Sequence, residues 1–222
     1  MNTRIYKVEL TGTSPLLMHK DNIDGSEELK KWQKDPNNKK ISVAGDDRTP
    51  AWTWLNYLYH DGERLIIDAD NLMSMLRDAG KKCPAAQGKG SLKAQTQSGI
   101  LVNEIGWALK VDGKEIPVKP LLTLKKYTVE FDKHQAQAEK SGFELFVKRA
   151  RVGQSKHVRV RPKLSNWSAA GTITVFDDSL STQVLQQVFN MGGFYVGLCD
   201  WRPGSPTSPG QFGRFEAKIT EG

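Results

Sequence analysis

The chain has 222 residues, 38% of them hydrophobic and 26% charged, and 32 Lys and Arg against 25 Asp and Glu give a formal net charge of +7. No apolar run approaches the ~18 to 20 residues of a bilayer-spanning helix, and Met1-Asn2-Thr3-Arg4-Ile5 leads straight into an alternating pattern instead of a signal-peptide core. A cytoplasmic protein without a membrane partner is expected, and Cys83 and Cys199, far apart and without His or Cys at ligand spacing, argue against a disulfide framework, a zinc site or any cofactor.

Taken in chain order, Arg4 to Thr11 alternates apolar and polar residues and predicts a first strand. Ser26 to Lys34 is a short polar helix candidate, followed by a turn-rich break at Asp35 to Lys40. The aromatic stretch Ala51 to Tyr59 fits either a strand or a buried helical turn. Asp68 to Gly80 predicts a helix, with acidic residues near its start, Leu72, Met75, Leu76 and Ala79 at helical spacing, and Gly80 as C-cap. Ile100 to Val111 is apolar and is interrupted by Lys114 to Pro120. Strands are expected at Tyr127 to Phe131, Glu144 to Lys148 and Gly171 to Phe176. Ser181 to Gly192 predicts a helix capped by Ser181 with a stripe of Val184, Leu185, Val188 and Phe189, and Gly213 to Ile219 a last strand.

With its insertions removed, this order predicts an α+β fold: a ferredoxin-like β-α-β-β-α-β core, in which helices cover one face of an antiparallel sheet and the other face is open to a strand of nucleic acid. One elaborated domain is expected over residues 1–222. Its core falls at about 3–12, 65–80, 100–131 and 168–219, and its inserted loops at about 20–60, 81–98 and 132–163.

Charge is unevenly spread. From Lys119 to Lys163 there are twelve Lys or Arg against the four acids Glu130, Asp132, Glu139 and Glu144. The rest of the chain is therefore near neutral. The densest part holds Lys148, Arg149, Arg151, Lys156, His157, Arg159, Arg161 and Lys163 without an acid, and its end alternates like a strand with one basic face. A second acid-free run, Gly80 to Ser98, carries Lys81, Lys82, Lys89 and Lys93 among glycines and reads as a mobile loop. Cations on extended or mobile backbone can follow a phosphate chain and release its counterions.

The most distinctive stretch is the glycine-rich tail from Met191 to Phe215, which follows a helix instead of opening one and so is not a Walker-type phosphate loop. A helix cap followed by a hairpin and a ligand-contacting loop are both compatible with it. Within it Trp201 and Arg202 are placed to stack on a base or to meet a neighbouring subunit; the competing picture is a tryptophan packed under the loop, with Arg202 satisfying backbone carbonyls. Ser14, Pro15, Leu16, His19 and Lys20, together with Gly193, Phe194, Val196, Gly197, Asp200, Trp201, Arg202, Pro203, Gly210, Phe212, Gly213 and Phe215, resemble the two end motifs of a widespread family of phage and prophage proteins. Cys199 stands where that family has glycine, and the resemblance covers the two ends and little of the middle. More distantly, the first strand and the glycine-rich loop are similar to the RAMP proteins that form the RNA-holding backbone of CRISPR effectors. That likeness is architectural and implies ferredoxin-like domains that polymerise along one strand and hold it with basic inserted loops.

For chemistry, His19, His60, His134 and His157 are the candidates, with His157 the best placed to act as a general base of a metal-independent endoribonuclease or, as a binding residue, to contact phosphate. Asp46-Asp47-Arg48 and Asp68-Ala69-Asp70 fit turns and helix caps better than a magnesium site. The expectation is a non-enzymatic, sequence-tolerant binder of single-stranded DNA or RNA that assembles as a homo-oligomer or nucleoprotein complex. The alternative is a phage structural or assembly protein contacting DNA or an acidic partner.

Overall fold

A computed structural model describes residues 3–85 and 90–222 and shows a mixed α+β architecture with antiparallel sheets. The first strand, β1 (Arg4–Gly12), lies within the larger sheet. Its period of two buries Tyr6, Val8 and Leu10 and turns Ile5, Lys7, Glu9 and Thr11 outward. After the short β2 (Leu16–Leu17) comes α1 (Ile23–Lys34), whose N-cap Asn22 accepts from the Gly25 N–H at 2.9 Å. The aromatic stretch that periodicity left open is a buried 3-10 turn, Thr53–Tyr57.

The helix expected at Asp68 to Gly80 is α2 (Ala69–Gly80), preceded by β3 (Ile66–Asp68). Asp68 caps it by accepting from the N–H groups of Asp70 and Asn71, and Leu72, Met75, Leu76 and Ala79 are buried. Gly80 is its last helical residue and Lys81 its C-cap. Part of the stretch expected as a basic loop is instead helix α3 (Lys93–Ser98), because the Thr96 hydroxyl donates to the Leu92 carbonyl and is buried against Gly80, where a side chain would collide with it.

Next in the chain are β4 (Ile100–Val102), β5 (Gly106–Val111), β6 (Lys114–Glu115) and the short α4 (Lys119–Leu122). The strand expected at Tyr127 to Phe131 does not form. Phe131 opens α5 (Phe131–Lys140), which the Tyr127 carbonyl joins through His134 at 2.7 Å. The basic segment is an antiparallel hairpin of β7 (Glu144–Val152) and β8 (Ser155–Leu164), not an irregular loop. Alternation of Val with Arg and Lys suits a pleated ribbon, and Gly153 at φ +61 supplies its turn. β9 (Trp167–Val175), α6 (Thr182–Met191) capped by Ser181, a π-helical turn at Gly192–Val196 and β10 (Phe215–Glu221) complete the chain.

The larger sheet runs β10-β1-β9-β5-β3, with β4 pairing β9 and β6 pairing β5, and all of these pairings are antiparallel. Helices α2 and α6 pack on each other and on this sheet. The edge strand β10 is blunted: Gln186 of α6 donates to the Ala217 carbonyl at 2.8 Å, removing an acceptor that another strand would need. The smaller sheet is β2-β8-β7. One hydrophobic cluster joins the two, from Tyr6, Trp107 and Phe189 to Leu16, Leu145 and Val160. Among the described residues no helix is long and apolar enough to cross a membrane.

Candidate nucleic-acid interface

The hairpin register decides which basic side chains share a face. Lys148 is opposite Arg159 and Phe146 opposite Arg161, so these four, with His157 and Lys163, belong to one face. Arg149, Arg151 and Lys156 belong to the other, with Val147, Val158 and Val160.

At the hairpin root the arginines meet acids. Arg161 is buried, its guanidinium 3.3 Å from one carboxylate, Asp47, and 3.0 Å from another, Asp200, and it lies 4.3 Å over the Tyr57 ring. Arg159 reaches the same Asp47 at 3.0 Å. Asp47 also accepts from the Val160 N–H and from the Tyr57 hydroxyl, both at 3.3 Å, and burial raises the Tyr57 pKa, so that its proton stays available to donate. His19 completes the group. Arg161 donates to its Nε2 at 3.4 Å, which puts the imidazole proton on Nδ1, 3.6 Å from Asp200. Burial and then the Arg161 charge lower the His19 pKa, favouring the neutral ring. Lys163 pairs with Glu144 at 2.5 Å.

Toward the hairpin tip the balance reverses. Arg149, Arg151 and Lys156 are exposed and form no salt bridge among the described residues; Arg151 donates only to the Gly153 carbonyl. Back toward the root, Lys148, opposite Arg159, sits 4.3 Å over the Trp201 ring. Trp201 in turn meets Phe146 edge-on at 6.1 Å between centroids, and Phe146 meets Phe212 at 5.7 Å. All three rings are half-buried. Beside them runs a groove of about 570 Å³ lined by Ser14, Pro15, Lys148, Pro203, Gly210 and Phe212.

This surface exists because the two ends of the chain meet. The Asp200 N–H donates to the Leu17 carbonyl at 3.0 Å, the Gly213 N–H to the Pro15 carbonyl at 2.8 Å, and the Arg214 N–H to the Ser14 hydroxyl at 2.9 Å. Gly213 has φ +72, and a β-carbon there would run into the Leu198 carbonyl, so only glycine lets the two arms of the tail approach so closely. Cys199 and Trp201 carry φ +60 and +45, left-handed values that L side chains rarely adopt, and they flank Asp200. Cys199, at the position the resemblance gives to glycine, is fully buried, and burial pushes its thiol up to about 12, holding it protonated. Arg202 donates to the Cys199 carbonyl at 3.2 Å, so it caps its own loop.

The remaining sites of interest lie elsewhere. Lys81 pairs with Asp78 at 2.6 Å, Lys82 is exposed, Lys93 starts α3, and Lys89 lies outside the described residues. Helix α3 packs on α2 and β4, and the hairpin on β2, the 3-10 turn and α5, so the two basic runs belong to different parts of the molecule. His157 is half-buried beneath Gly45, its Nδ1 sealed without a partner. His134 accepts from Trp54 at 3.0 Å and is buried, and His60 accepts from the Gly62 N–H at 3.2 Å. Asp46 pairs with Arg48 at 2.6 Å. Among the described residues no group of three His, Cys, Asp or Glu is placed to hold a metal ion.

The outward face of the larger sheet, expected as the binding platform, carries Lys7, Glu9, Lys110, Thr172, Glu216 and Lys218, and among the described residues its strands turn no aromatic ring to that side. Sequence reading did not single out Phe146, gave Phe212 only as a motif residue and Asp47 only as part of a turn or cap, and missed the structural use of Arg161. Phe146 and Phe212 do carry a signal, since one stands two residues before the basic run and the other sits among glycines and prolines. No protein-family model matches the chain, and no curated protein matches it.

Proposed function

We propose that the protein binds single-stranded nucleic acid, with the phosphates along the hairpin cations and bases stacked at its root. The observation that carries this reading is the trio of half-buried rings Trp201, Phe146 and Phe212 beside Lys148, at the foot of a ribbon whose outer cations have no acid partners among the described residues. Stacking on aromatic rings contributes ~1–3 kcal/mol per base and tolerates any base, while unpaired cations supply counterion release. A duplex keeps its bases stacked inside and cannot use such rings, so the trio favours a single strand. Arg159 and Arg161, expected to touch phosphate, serve in this reading to set the hairpin's angle on the body.

Support for a ferredoxin-like core comes from the order β1, α2, β4 with β5, β9, α6, β10 and the spatial order β10-β1-β9-β5. Assembly of copies along the strand belongs to the same proposal, and the exposed Phe194 and Tyr195 beside α6 offer it a surface. The test is a salt titration with labelled single- and double-stranded oligonucleotides. Three to five neutralised phosphates give log K a slope against log salt of roughly −2 to −4 on single strands. Binding that is absent, independent of salt or stronger to duplex would overturn the proposal.

A further inference from the structure

A cleft of about 180 Å³ opens beside His19, with Lys20, Asp21, Gly25, Asn56 and Tyr57 in its wall. Most of its polar groups are already engaged. Thr53 donates to the Pro50 carbonyl at 2.7 Å, the Asn22 side chain caps α1, Tyr57 donates to Asp47, and both nitrogens of His19 face Arg161 or Asp200. Asn56 is different. It is 9% exposed, its carboxamide takes part in none of the side-chain hydrogen bonds of the described residues, and the space it borders is the cleft. Its polar atoms are not sealed from solvent, so the amide edge meets water in the cleft, and a ligand group that pairs with it replaces that water.

The amide's orientation follows from its neighbour. A β-carbon built on Gly25 would lie 2.5, 2.7 and 2.8 Å from Cγ, Nδ2 and Oδ1 of Asn56. Three nearly equal distances mean that the amide lies flat over the glycine. Its donor and acceptor therefore point sideways, in the plane where a second planar group can pair with them. The rim charges, Lys20 and Asp21, cancel, so the cleft suits a neutral polar group in preference to a phosphate.

Resting on the strand-binding reading above, we infer that this cleft takes one nucleobase unstacked from the bound strand, and that Asn56 reads its edge, with adenine the best match. The carboxamide oxygen accepts from the 6-amino group while Nδ2 donates to the adjacent ring nitrogen, a bidentate fit. Tyr57 and Leu29 supply a ring and an apolar wall for the base. Asp200, one residue before Trp201, contacts His19, so the cleft adjoins the aromatic trio from which the base would turn out.

The experiment compares an all-adenine single strand with the same strand carrying unsubstituted purine, which lacks the 6-amino group, using the protein and its Asn56→Leu and Asn56→Asp variants. The unaltered protein is expected to prefer adenine by roughly tenfold. Asn56→Leu should bind both strands equally with the original salt slope. Asn56→Asp, which keeps the shape and loses the donor, should also lose the preference, and it decides the matter if melting shows that the leucine variant does not fold. Equal binding of the two strands by the unaltered protein, with salt-dependent affinity intact, overturns the base site alone, as does a preference that survives in the folded variants. No salt-dependent binding to either strand overturns the strand-binding reading itself.

Discussion

Along the single strand β8, basic residues a few positions apart serve opposite purposes. Arg161 is enclosed between Asp47 and Asp200 and stacked on Tyr57, whereas Lys156, five residues earlier, is exposed and has no salt-bridge partner among the described residues. A buried guanidinium is tolerated only where carboxylates and hydrogen bonds replace its water, so the hairpin root must be neutralised. A cation left in water keeps its charge available to a polyanion. Position along one ribbon thus separates a structural charge from a free one, and the difference can be tested from the root outward.

The largest effect belongs to Asp47→Ala. It removes the carboxylate shared by Arg159, Arg161, Tyr57 and the Val160 N–H, and stability measured by urea denaturation should fall by about 3–5 kcal/mol. Asp47→Asn, whose amide oxygen still accepts, should fall less. Equal stability of both variants and the unaltered protein would mean that the network does not hold the hairpin.

Trp201→Ala comes next. A fully buried tryptophan costs ~3–5 kcal/mol when truncated, and this half-buried one, packed on Phe146 and under Lys148, should cost about 2 kcal/mol. Oligonucleotide affinity should fall in the same variant by a further ~1–3 kcal/mol per lost stack. A melting point unchanged from the original would show that the ring is not an anchor.

Neutralising Arg149, Arg151 and Lys156 together to Gln should leave the melting temperature in place and make the salt slope of binding shallower by roughly 2. Loss of stability without a change of slope would reverse the roles assigned to tip and root.

The smallest effect is in pH. The folded-state pKa of His19 lies below its ordinary value of 6.5, chiefly through burial and then Arg161, and burial lowers His60 and His134 in the same direction. The unfolded chain therefore binds more protons as pH falls below about 6.5, and stability should decline from there toward the folded values. His19→Gln should flatten this decline. Stability that rises as pH drops through 6 to 5 would contradict the neutral, buried assignment.

Local rules read much of the fold. β1, α2, β9 and α6 were legible because period-two alternation and capped helical stripes are short-range signals, and Asp68 and Ser181 mark their helix starts as expected. Tyr127 to Phe131 misled because an apolar, β-branched run suits a strand equally well when it in fact leads into α5. Helix α3 was hidden because its lysine and two glutamines look like loop, and only the packing of Thr96 on Gly80 draws it in.

By itself, the sequence determined the α+β class, the caps, the basic content of residues 147–163 and the unusual glycine spacing of the tail, since each depends on a residue's neighbours along the chain. Which cations are free, and which rings stand beside them, was decided by tertiary structure. Asp47 lies more than a hundred positions from Arg161, Ser14 lies two hundred from Arg214, and Trp201 reaches Phe146 across the chain. Charge neutralisation and stacking act over a few ångströms of space, and no local pattern records which distant residue will fill that distance.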